Sequence, residues 1–173
     1  MPEIIPFHGY LYNQSKISLT DVVAPPYDVI SPAQQEHLYE ASPYNVVRLI
    51  FGREEDRYVS AGRFFEEWQR EQILIRDDRP ALYVLHQVFE DFEHRQTTRK
   101  GFLALCKLEE FEKRVVLPHE KTHAKPREDR FKLFKATNAN FSQVFSLYSD
   151  PQQEVNWVLS EATKAAPIAT VLF

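Results

Sequence analysis

The sequence predicts an α+β fold, with a mixed, mostly antiparallel central sheet and helices packed on it. Three observations carry that prediction. Two apolar segments, ALYVLHQVFED (81–91) and RKGFLALCKLEEF (99–111), follow one another across a short polar loop, which favours a hairpin. Ahead of them one stretch carries helix-start chemistry and a second the helical spacing of apolar residues. The glycines (Gly9, Gly52, Gly62 and Gly101) are scattered, whereas a phosphate loop or a dinucleotide fingerprint needs clustered glycines so that backbone N–H groups can approach phosphates.

The opening ~30 residues are punctuated by proline and read as extended, with strand-like IIPF and DVVA. In SPAQQEHLYEAS, Ser31 caps a helix, Pro32 suits its first position and Gln34 completes a capping box. Ser42-Pro43 stops that helix, and NVVRLI (45–50) reads as a buried strand. EDRYVSAGRFFEEWQREQIL follows as the longest helix, with Tyr58, Ala61, Phe65 and Trp68 on one face. The two hairpin strands are apolar on both faces, which predicts a central position. Pro118 to Pro126 is irregular or one turn of helix. REDRFKLFKATNA is helical, SQVFSLYS a strand and QQEVNWVLSEATKA a last helix. The closing APIATVLF is strand-like, and chains rarely stop inside a buried strand, so residues 1–173 are expected to form a single domain that is part of a longer protein.

Composition narrows the function. Hydrophobic residues at 43% provide a core, while charged residues at 27% and a net charge of -4 give no basic excess for nucleic acid, so any basic feature is local. No apolar run approaches the ~20 residues of a membrane helix. MPEIIPFHGYLYN lacks the basic start and apolar stretch of a secretory signal. The single Cys106 makes neither an internal disulfide nor a Cys-rich metal site. A cytoplasmic protein with no nucleic-acid or membrane partner is expected.

HEKTH (119–123) matches H-E-x-x-H, in which two histidines one helical turn apart converge on zinc and the glutamate polarises its water. That chemistry needs a stable helix, and Pro118 and Pro126 bracket the motif while Lys121, Thr122 and Lys125 leave it without an apolar face. A polar loop with two histidines is the better reading, and no zinc is expected. The segment's other feature is charge: from His119 to Lys135 six Lys/Arg face three acids, which suits a phosphate or carboxylate site, or a solvated helix face with pairs such as Glu128–Lys132.

VVAPPYDVIS, SPYNVVRLI, RPALYVLHQVF, RKGFLALCKLEEF and VLPHEKT…KPREDRFKLFKATNANFSQVFSLYSD, in that order from about residue 4 to 150, together resemble the prokaryotic family catalogued as domain of unknown function 1015. The resemblance takes HEKT, with Thr122, as the motif and leaves His123 outside it. It implies a parent protein of roughly 400 residues, with the missing C-terminal part of the same protein as a partner. More distantly the family is similar to the ParB/sulfiredoxin-like superfamily, which includes nucleotide-binding segregation proteins and free serine kinases. The Asp-Gly-His-His-Arg phosphate motif of that superfamily does not occur in residues 1–173. What the resemblance implies is a phosphate- or nucleotide-handling enzyme, a kinase acting on serine or a similar small hydroxy substrate with magnesium and ATP or ADP. The alternative is a non-catalytic module that senses a phosphorylated or carboxylated metabolite.

On that reading Asp28, presented by the rigid APPYD loop, is a general base or magnesium ligand; its plain alternative is a turn aspartate. His119 and Glu120 form an acid/base pair, or a hydrogen-bonded loop. Arg130 holds phosphate bidentately, with Lys125 and Arg48 beside it; Arg130 could equally pair with Asp129 or Glu128, and Arg48 could lie at a sheet edge. Tyr27, Thr122 and Asn140 contact substrate, although Tyr27 also reads as a core aromatic and Asn140 as part of a helix end. Cys106 and His86 read as core residues of strands.

Overall fold

A computed structural model describes residues 2–119 and 123–172. In chain order the elements are β1 (Ile4–Ile5), β2 (Tyr10–Tyr12), α1 (Leu19–Val22), α2 (Pro32–Ala41), α3 (Val47–Ile50), α4 (Arg57–Arg70), β3 (Leu74–Arg76), β4 (Tyr83–Glu90), β5 (Gln96–Leu103), β6 (Leu105–Cys106), α5 (Ala124–Thr137) and α6 (Glu154–Ala162). The fold is α+β with antiparallel strands. Among the described residues these strands form three two-stranded ribbons, β1–β6, β2–β3 and β4–β5. The chain divides into two compact units, the first comprising Met1–Gly9, Asp78–Pro118 and Val144–Ala169, the second Tyr10–Asp77, His119–Gln143 and Thr170–Phe173.

The second unit is helical and holds the main core. The capping box of α2 forms as the sequence predicts: Ser31 Oγ accepts from Gln34 N, and Gln34 Oε1 accepts from Ser31 N at 2.9 Å. Asp56 caps α4 by accepting from Tyr58 N and Val59 N, and the helix buries Ala61, Phe65 and Trp68 along one face. Phe65 and Trp68 join Ile30, Tyr39, Val47, Leu49, Ile50, Ile73 and Leu74 in one cluster. Trp68 is flanked by the rings of Tyr12, Tyr44 and Phe64, so much of this core is aromatic. Helix α4 ends before its predicted limit: Gln72 turns left-handed, with φ 57°, and Leu74 starts the strand that pairs with β2.

NVVRLI is a helical turn, not a strand. Asn45, only 1% exposed, accepts from Val47 N through its side-chain oxygen and donates to the carbonyls of Asp21 and Val23. This buried amide starts the turn α3, which sends Val47, Leu49 and Ile50 into the core. DVVA is likewise not a strand, since Asp21 and Val22 close α1. Helix α5 starts earlier than predicted, at Ala124, and carries Pro126 in its first turn, where proline's missing N–H has no intrahelical partner to lose.

The first unit is built on the predicted hairpin, β4 against β5 in register from Tyr83↔Leu103 to Glu90↔Gln96. Its turn is organised by Asp91, whose Oδ1 accepts the N–H groups of Glu93 and Arg95. The hairpin does not occupy a central position: Leu85 and Phe89 on one face and Val88 on the other are exposed, as is His86. Cys106 is also exposed rather than core. SQVFSLYS and residues 167–172 make no strand. Gly9 has a local reason to be glycine, because its N–H donates to Tyr83 Oη at 2.8 Å and a Cβ there would lie 2.6 Å from that oxygen. No helix is long and apolar enough to cross a membrane, among the described residues.

Candidate anion site on the second unit

The site begins with a missing side chain. At Gly62 a Cβ would lie 2.7 Å from the Ala136 carbonyl, so glycine lets α4 lie directly against α5. That contact brings the first turn of α4, fixed by the Asp56 cap, to the middle of α5. Tyr58 Oη donates to Asp129 Oδ1 at 2.8 Å, and the Arg57 guanidinium forms an ion pair with the same oxygen. Arg57 Nη2 also donates to Tyr58 Oη at 3.0 Å. Arg130 Nε donates to the other oxygen, Asp129 Oδ2, at 2.8 Å. One carboxylate thus holds two guanidinia and a phenol. Burial raises the Asp129 pKa, but the hydrogen bonds from Tyr58 and Arg130 and the charges of Arg130 and Arg57 outweigh it and hold the carboxyl below its ordinary range.

Arg130 reaches further. Its Nη2 donates to the Ile50 carbonyl at the end of α3, at 2.9 Å, and its guanidinium carbon lies 3.8 Å from the ring centroid of Tyr27. Tyr27 and Asp28 belong to a short 3-10 turn (Tyr27–Val29) that follows Pro25 and Pro26. Asp28 is exposed there. Arg130 Nη1 is buried and has no hydrogen-bond partner. A small pocket of ≈ 30 Å³, room for a water-sized group, opens beside Arg130, Phe134, Asn140 and Ser142. It lies where α5 stops: Asn138 takes the left-handed conformation and donates its N–H to the Phe134 carbonyl at 2.7 Å.

Three of the sequence-predicted residues therefore converge, with Arg130 touching Tyr27 and sharing the pocket with Asn140. Asp28 lies on the same turn as Tyr27. Arg48 is engaged elsewhere: its guanidinium lies 4.1 Å from the Tyr39 ring centroid and its Nη2 donates to the Tyr39 carbonyl, while Nε is buried without a partner. Arg53 lies 4.2 Å from the same ring. Burial, with the Glu54 charge and hydrogen bond adding to it, pushes Tyr39 up to about 12 against the opposing Arg53 N–H and Arg48 charge. Lys125 and His119 are exposed, Lys125 on the first turn of α5. Glu120 and Thr122 lie outside the described residues. His123 precedes α5 rather than belonging to it, and among the described residues no group of three or more His, Cys, Asp or Glu is placed to hold a metal ion.

Sequence reasoning overlooked Arg57 and Tyr58 and assigned Asp129 only a surface role. The Asp-Arg-Tyr run announces a helix start and nothing more, because its partner lies 71 residues away.

Residues 4–172 match the family described as "Protein of unknown function (DUF1015)". The chain belongs to that family. Comparison with curated proteins and with solved structures finds no match. The family match spans residues of both compact units, the candidate site and the exposed hairpin alike.

Proposed function

We propose that this chain carries the phosphate-handling part of an enzyme that transfers a phosphoryl group to serine or a similar small hydroxy compound. The observation that carries the reading is the buried, unpartnered Nη1 of Arg130, in a guanidinium stacked on Tyr27 and adjoining Asn140. A buried N–H without an acceptor is costly, and an oxyanion supplies the missing one. The guanidinium is a planar fork of donors suited to contact with phosphate, and the Tyr27 ring beneath it restrains the orientation of that plane. ATP or ADP as donor follows from the distant resemblance to the ParB/sulfiredoxin-like superfamily, with its free serine kinases, on which this reading also draws.

In this reading the substrate hydroxyl oxygen forms a bond to the terminal phosphorus, the bond from that phosphorus to the nucleotide oxygen breaks, and the hydroxyl proton passes to Asp28. Arg130 stabilises the charge on the transferring group. Magnesium would shield the nucleotide phosphates. It takes one or two carboxylates beside phosphate and water; exposed Asp28 would fill that role as the alternative to accepting the proton. The remainder of the parent protein would supply the rest of the phosphate site.

The test is transfer of labelled phosphate from ATP or ADP to serine by the intact parent, alongside thermal melts of this chain with each nucleotide and with phosphoserine. Turnover lost in Arg130→Gln supports the reading. Ligand-dependent melting without turnover assigns the site to a sensing module, and neither turnover nor a melting shift removes the phosphate reading altogether.

A further inference from the structure

The unexpected member of the site is Arg57. A structural ion pair is neutral, yet here two guanidinia share the single carboxylate of Asp129, and all three side chains are partly buried, at 30%, 21% and 13% exposure for Arg57, Arg130 and Asp129. Excess charge in such surroundings is costly unless an opposite charge joins it. We propose that Arg57 and Arg130 form a two-guanidinium clamp for the phosphate dianion of the ligand, and that Asp129 is a built-in counter-anion with which this phosphate competes. The inference rests on the Arg130 phosphate site proposed above and adds to it a second cation and a regulator.

The geometry supports each role. Arg57 arrives on a turn fixed by the Asp56 cap, so it is preorganised, and its bonds to Asp129 and Tyr58 both run through Nη2. Arg130 binds Asp129 through Nε and Nη2, while Nη1 has no acceptor. Tyr58 donates to Asp129 and can hold that carboxylate when the guanidinia turn to a stronger anion. The depressed pKa of Asp129 keeps it ionised at neutral pH, so it competes throughout the physiological range. A phosphate dianion outbids one carboxylate for two guanidinia because it brings a second charge and a third oxygen.

The experiment is a titration of inorganic phosphate into this chain, followed by the side-chain N–H resonances of its arginines, on the native sequence and on Asp129→Asn and Arg57→Gln. The clamp requires that Arg57 and Arg130 resonances move along one saturating curve in the native protein. It further requires that Asp129→Asn bind phosphate about tenfold tighter, having lost the competing charge, and that Arg57→Gln bind it about tenfold weaker. If Arg130 responds and Arg57 does not, the clamp is overturned while the Arg130 site stands. If Asp129→Asn retains its fold by urea titration but binds more weakly, Asp129 positions the arginines and the counter-anion role is wrong. If neither arginine responds in the native protein, clamp and phosphate site both fall, and that result does not depend on any variant folding.

Discussion

The two compact units use their apolar residues in opposite ways. The helical unit contains every buried core hydrophobic of the described residues except Leu159. The hairpin unit leaves Leu85, Val88, Phe89, Phe145 and Leu147 exposed. The sequence is about as apolar in one as in the other, so the difference is geometric. A helix gathers its apolar residues on a single stripe, which one neighbour can cover, as α4 does with Ala61, Phe65 and Trp68. A two-stranded ribbon has two faces, and strands apolar on both cannot bury them without further layers. Stability should therefore reside in the helical unit, with the site built on that rigid part.

The largest test of this contrast is a pair of aromatic deletions. Trp68→Ala, at a position 2% exposed, should cost about 3–5 kcal/mol in urea unfolding. Phe92→Ala, on the fully exposed hairpin turn, should stay within about 0.5 kcal/mol. Comparable losses at both positions would break the comparison. Gly62→Ala comes next. Its methyl would press on the Ala136 carbonyl and part α4 from α5, at about 1–3 kcal/mol. Because that contact brings Arg57 and Tyr58 to Asp129, the same variant should weaken the proposed phosphate binding; unchanged affinity would show that the proposed site does not depend on the helix crossing.

Ser31→Ala should cost roughly 1 kcal/mol by opening the capping box of α2, again read from the urea midpoint. A null result there would mean that tertiary packing alone holds that helix. The smallest effect is the pH dependence of Asp129. Its folded pKa lies below the unfolded value of about 3.9, so its contribution to stability is fully present above about that pH and is lost as pH falls through the folded value. The urea midpoint of the native protein should therefore fall further on acidification than that of Asp129→Asn. Parallel curves would show that the carboxylate gains nothing from its three partners.

Much of the helical unit could be read in advance, because caps and helical spacing are local. The Ser31 box and the α4 face follow from residues within a few positions of one another, and the hairpin of the other unit follows from two apolar segments across a short polar loop. NVVRLI misled because four of its six residues are apolar and β-branched or aliphatic, while the decision belonged to Asn45 and to two carbonyls more than 20 residues earlier. The candidate site was legible in part: Arg130, Tyr27 and Asn140 could be nominated by residue type and by family resemblance, whereas Arg57 and Tyr58 could not.

By itself, then, the sequence determined the α+β class, both ends of α2, the hairpin and the family, since these rest on short-range chemistry or on ordered motifs along the chain. Only the tertiary structure decided that Asp129 carries two guanidinia, that Arg130 lies on Tyr27, and that the hairpin faces stay exposed. The physical reason is that charge pairing and burial depend on which surfaces meet. Here that turned on a hydrogen atom at Gly62, where a methyl would have held the two helices apart.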